Sequence, residues 1–105
     1  MVSQPGSGTY RRGMREFLVE LYAARTDRDA VSCDAHQVRS AAEELTRSGT
    51  PVRLLRSIFV PEDETCFYLF EAGSIDVVRE AAQRAGLEVE HVAETVPDDV
   101  AADTA

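Results

Sequence analysis

The chain has 105 residues, enough for one domain that buries roughly 65% of the surface exposed by its unfolded form. It carries 11 basic and 19 acidic residues, a formal charge of −8, and every base is an arginine. That balance argues against a sequence-independent grip on nucleic acid or on an anionic membrane surface, and the lack of lysine removes Schiff-base and P-loop chemistry.

Residues 1–13 are rich in Ser, Gly and Pro and then basic, with no apolar signal-peptide core, and read as a flexible leader. No apolar run approaches the ~20 residues of a transmembrane helix. Cys33 and Cys66 read as reduced thiols, which points to the cytoplasm. A single domain is expected over 14–97, followed by an acidic, flexible tail over 98–105. Residues 15–22 alternate as a strand, with Phe17, Val19 and Leu21 on one face and Leu18 and Tyr22 on the other. Asp34 and Gln37 resemble a capping box, and Ala35, Val38, Ala42 and Leu45 follow at helical spacing until Gly49 and Pro51 stop the helix. Residues 52–60 and 65–72 are β-branched and aromatic, and the turn Pro61–Glu64 joins them into a hairpin. Ser74 caps a second helix with Val78, Ala81, Ala82 and Ala85 as its apolar stripe, closed by Gly86. Residues 87–96 alternate again as a last strand.

The order β-α-β-β-α-β predicts an α+β, ferredoxin-like sandwich: a four-stranded antiparallel sheet with both helices on one face. Alternation groups Phe17, Val19, Leu21, Leu54, Ile58, Phe67 and Leu69 on one face, against Leu18, Tyr22, Leu55, Phe59, Tyr68 and Phe70 on the other. Whichever set meets the helices, an apolar face of about several hundred Å² stays open, more than a soluble monomer usually exposes. A homodimer through that face is expected, with or without a small-molecule cavity lined by Tyr22, Arg56, Phe59, Tyr68 and Phe70.

Arg56 and Glu71 lie on adjacent hairpin strands. They read either as a cross-strand ion pair or as an anion-binding arginine beside an acid/base glutamate. The acidic turn Glu62-Asp63-Glu64 offers oxygen ligands to a hard cation, or is a solvated turn. His36 follows Cys33 and Asp34 as Cys-x-x-His, but a tetrahedral site needs two further ligands. His91 stands in the last strand. Nickel accepts imidazole and carboxylate together, so His91, Glu71 and His36 are the candidate metal ligands. Cys66 has no histidine near it in the pattern and reads as an inert buried thiol.

Three stretches, FLVELY (17–22), GTPVRLLRSIFVPEDETCFYLFEAGS (49–74) and VREAAQRAGLEVEHVAE (78–94), carry a resemblance. Over about residues 15–96 the chain resembles the small bacterial ferredoxin-like family often labelled nickel-binding, formerly a domain of unknown function. The resemblance implies a homodimer and, in the nickel branch, a metal held largely by histidines. Here the chain departs from the pattern: Arg56 stands where that branch often has a histidine, Tyr68 replaces a frequent cysteine, and Glu80 and Leu87 fall near further histidine positions. Fold and dimer carry over; most of the nickel ligands do not.

Two classes of function stay open. The first is a small dimeric binding protein for a divalent metal or a small ligand, and the absence of a nucleophile–base pair favours it. The alternative is a cofactor-free isomerase or cyclase of bacterial secondary metabolism, in which Arg56, Tyr68, Glu71 and His91 bind an anion and move a proton over the sheet.

Overall fold

Strand β1 (Arg15–Tyr22) leads into helix α1 (Arg28–Arg47), strands β2 (Val52–Val60) and β3 (Thr65–Ala72), helix α2 (Ile75–Arg84) and strand β4 (His91–Thr95). The computed structural model describes residues 13–24 and 28–96, with the backbone alone over 28–34. The expected leader up to residue 12, the tail over 98–105 and the side chains of Cys33 and Asp34 lie outside the described residues. The four strands form one sheet in the order β2-β3-β1-β4, every neighbour antiparallel. This is the ferredoxin-like α+β arrangement predicted from the element order. No described helix is long and apolar enough to cross a membrane.

One face of the sheet meets the helices. Phe17, Val19 and Leu21 of β1, Val52 and Leu54 of β2, Cys66, Tyr68, Phe70 and Ala72 of β3, and Val92 of β4 are buried there. Val38, Ala41, Ala42 and Leu45 of α1, Val78 and Ala81 of α2 and Ala85 at the C-cap of α2 complete the same core. Small residues on α2 let it sit close to the sheet, while the aromatic bulk comes from the strands.

Local signals hold with two corrections. Ser74 caps α2, its Oγ accepting from the Val77 N–H at 3.4 Å, and Gly49 and Gly86 take the positive φ that ends each helix, at 105° and 79°. However, α1 begins at Arg28, about two turns before Asp34, so Asp34 and Gln37 lie within the helix and form no capping box. The last strand is also shorter than expected. Residues 87–90 form a connection whose Glu90 N–H donates to the Glu20 carbonyl at 2.9 Å, and only His91–Thr95 pair with β1. Leu87 and Val89 alternate because they pack onto the core from that connection.

The larger correction concerns the faces. β1 and β3 pair Phe17 with Phe70, Val19 with Tyr68 and Leu21 with Cys66, while Leu18 pairs with Leu69 and Glu20 with Phe67. Tyr68 and Phe70 therefore share the core face with Phe17, and Phe67 and Leu69 belong to the open face with Leu18. Sequence alternation fixes which residues of a strand go together but not the register between strands. In β2 the register slips between Leu54 and Arg56, leaving Leu55 as the extra residue of a bulge. Beyond it the phase reverses, so Ile58 pairs with Phe67 on the open face and Phe59 with Cys66 on the other.

Candidate functional site

The bulge decides which arginine meets Glu71. In the register as formed, Arg53 stands opposite Glu71 and Arg56 opposite Leu69. The expected Arg56–Glu71 pair is replaced by Arg53–Glu71, with Arg53 Nη2 3.5 Å from Glu71 Oε1. Arg53 is half exposed, but Glu71 is only 1% exposed, the one charged residue in the buried set of the described chain. Its second oxygen, Oε2, is buried without a hydrogen-bond partner among the described residues. Glu16, on β1, stands directly opposite on the other side and adds a second carboxylate, not a donor. A buried carboxylate oxygen left unmatched costs several times what an ordinary hydrogen bond returns. Such a group calls for a partner from outside the chain: a water, an ion or a ligand.

Glu71 lines a groove of about 480 Å³. Its floor is the start of β2, Pro51–Leu54, and its other wall is the outer ridge of α1, where Arg39, Glu43 and Arg47 recur at four-residue intervals. Met14, Ala42, Val52 and Leu54 supply apolar surface. Thr46 fixes the two walls together: its Oγ1 donates to the Val52 carbonyl at 2.8 Å and accepts from the Val52 N–H at 3.1 Å. That pair of bonds occupies the outward edge of β2, which otherwise invites another strand. Neither Arg39 nor Arg47 makes an ion pair among the described residues. The groove thus carries three guanidinium groups against two carboxylates, with an apolar floor, a size suited to a small organic molecule.

The other predicted site residues are dispersed. Tyr68 is 0% exposed and Phe70 equally buried, both beneath the helices, so neither lines a cavity on the open face. Phe59 also points to the helix side, half-buried. Tyr22, 60% exposed, lies at the far end of β1, where its hydroxyl donates to Glu64 Oε1 at 3.5 Å. His91 pairs with Glu20, four residues along β1 from the Glu16 that faces Glu71, about 13 Å along the strand. His36 is exposed on α1, across the sheet from His91. The four residues of the isomerase or cyclase reading, Arg56, Tyr68, Glu71 and His91, are not brought together.

The same dispersal bears on a metal. Among the described residues no group of three or more His, Cys, Asp and Glu side chains is placed to hold an ion. Glu62 and Asp63 of the acidic turn are exposed, and Glu64 is taken up by Tyr22. Glu71, the best-buried carboxylate, has a guanidinium as its neighbour, which repels a cation. The described donor set does not fit nickel.

The open face keeps the apolar character expected of it, with different members. Leu18, Phe67 and Leu69 are half-buried there and Ile58 is 41% exposed. Arg39, Arg47, Arg53, Met14 and Thr46 went unread as site residues. The four-residue spacing of Arg39, Glu43 and Arg47 was a legible signal; the role of Arg53 depended on the bulge.

No family model matches the sequence, and no curated protein matches it. The crystal structure of SCO4226 from Streptomyces coelicolor A3(2) is similar in fold, with 19% sequence identity, a TM-score of 0.61, and coverage of 79% of this chain and 98% of that one. At that identity the likeness is one of fold.

Proposed function

We propose that this chain is a small binding protein of the ferredoxin-like, nickel-binding kind that has exchanged the metal for a small organic anion, bound in the groove between α1 and β2. The observation that supports it is the pairing, in one groove, of a buried and half-satisfied Glu71 carboxylate with Arg39 and Arg47, which have no internal ion-pair partner among the described residues. The guanidinium groups select an anion, the apolar floor takes its carbon skeleton, and Thr46 keeps the walls at fixed separation. The protein acts as a homodimer through the open sheet face.

Calorimetric titration with 3-phenylpropionate at low salt tests the reading. Arg39→Ala and Arg47→Ala should each weaken binding about threefold to tenfold, whereas Arg79→Ala, on α2, should leave it unchanged. Tight nickel binding with a raised melting temperature, and no response to the carboxylate, would return the metal in place of the organic anion.

A further inference from the structure

Glu71 and Arg53 are set towards the open side of the sheet and hold each other there, so the working charges of the groove are those of α1. Arg39, Glu43 and Arg47 line it at four-residue intervals, a positive, negative, positive series along one ridge. At 1.5 Å of rise per residue the two arginines stand about 12 Å apart along the helix axis, with Glu43 about 6 Å from each. All three side chains are exposed, and no ion pair among the described residues involves any of them.

That spacing decides what an anion meets. To hold one carboxylate between them, Arg39 and Arg47 must both bend to the midpoint, where Glu43 stands and repels it. Two anionic groups, one to each arginine, avoid the conflict, because each stays about one helical turn from Glu43. Between the two arginines the lining is apolar: Ala42 on α1, Val52 and Leu54 on β2, and Met14 ahead of β1. A hydrocarbon link between the ligand's two charged ends suits that lining. About eight or nine carbon–carbon bonds of about 1.5 Å, each advancing somewhat less than its length along a zigzag chain, cover the distance.

Resting on the anion-binding reading, we propose that the groove recognises a linear dicarboxylate of about eight to ten carbons laid along α1. One carboxylate meets Arg39 and the other Arg47, and the methylenes between them cross Ala42, Val52 and Leu54. Met14, unbranched and adaptable, packs against the same chain. Glu43 then sets a minimum length. A short diacid brings both carboxylates towards the middle of the ridge and is repelled there, whereas a long one keeps them at its ends.

The test compares three probes on the full-length, ¹⁵N-labelled chain by calorimetry and amide chemical-shift titration at low salt. They are sebacate, the short dicarboxylate succinate, and monomethyl sebacate, which keeps the body of sebacate and caps one carboxylate. Sebacate should bind about threefold to fivefold more tightly than its monoester, and succinate more weakly than either, with shifts on residues 39–54. Arg39→Ala and Arg47→Ala should each bring sebacate to within about twofold of the monoester's affinity for the unaltered chain. Glu43→Gln should strengthen succinate about twofold to threefold and sebacate less, and an unchanged succinate affinity overturns the length rule. Equal binding of sebacate and its monoester, both shifting residues 39–54, overturns the two-ended ligand and leaves the anion groove standing. Failure of these probes and of 3-phenylpropionate to shift residues 39–54 overturns the groove as well. The comparison of probes on the unaltered chain needs no variant to fold.

Discussion

Glu71 is the residue at which folding and function pull apart. On the open face, flanked by Glu16 and Arg53, an apolar side chain of similar length fills the same space without an oxygen to satisfy. Replacing a buried ion pair by hydrophobic residues is often neutral or stabilising, and the partner left behind here, Arg53, is half exposed and stays solvated. Glu71→Met should therefore leave the urea midpoint unchanged or raise stability by up to about 2 kcal/mol. Arg53→Ala should act with the opposite sign, costing about 1–2 kcal/mol, because it strips Glu71 of the one charged partner it has among the described residues. Urea unfolding of both variants checks the pair of signs. A loss of more than about 2 kcal/mol in Glu71→Met would make the carboxylate a structural element and deprive the groove of its purpose.

Among the elements, β2 carries most of what the sequence withheld. Its bounds, like those of β1 and β3, were legible from composition and alternation, because branched and aromatic residues fill them and turn residues bracket them. The bulge was not legible. Leu54 and Leu55 are the same residue type, so nothing in the pattern marks which of them pairs with Phe70 and which stands out of the ladder. The consequence spreads along the strand: beyond Leu55 the phase inverts, Arg56 is carried to Leu69, and Arg53 inherits Glu71. The start of α1 was obscured for another reason. Its first turns, RDAVSCD, lack the apolar stripe that identifies the later ones, so Asp34 looked like a boundary. Deleting Leu55 tests the description of the bulge. The flanking pairs Leu54–Phe70 and Arg56–Leu69 become consecutive, so the shortened chain should fold with its circular dichroism intact and lose less than about 2 kcal/mol. A loss well above about 2 kcal/mol, or an altered circular dichroism spectrum, would place the irregularity elsewhere.

At the scale of the whole molecule, the proposed anion groove and the proposed dimer face share Arg53 and Glu71, whose side chains lie on the open side of the sheet. The strand order β2-β3-β1-β4 places β3 and β1 at the centre of the open face, with Leu18 and Leu69 directly paired. In the proposed dimer, a two-fold axis running along the strands between them would lay β3 of one copy over β1 of the other, so that this leucine pair would meet its own image. Phe67, one pair further on opposite Glu20, and Ile58 extend the apolar strip towards Tyr22. Such a self-complementary arrangement asks little of the sequence beyond an apolar centre and a charged margin, which Glu16, Glu20, Arg56 and His91 provide. Leu69→Glu separates the two tasks. It puts two like charges at the centre of the proposed interface while altering a half-buried side chain outside the core. Sedimentation equilibrium should show the unaltered chain as a dimer at micromolar concentration and Leu69→Glu as a folded monomer that still binds 3-phenylpropionate within about threefold of the unaltered affinity. A monomeric unaltered chain would leave the leucine pair as ordinary surface, and loss of ligand in the monomer would place the site at the interface instead of in the groove.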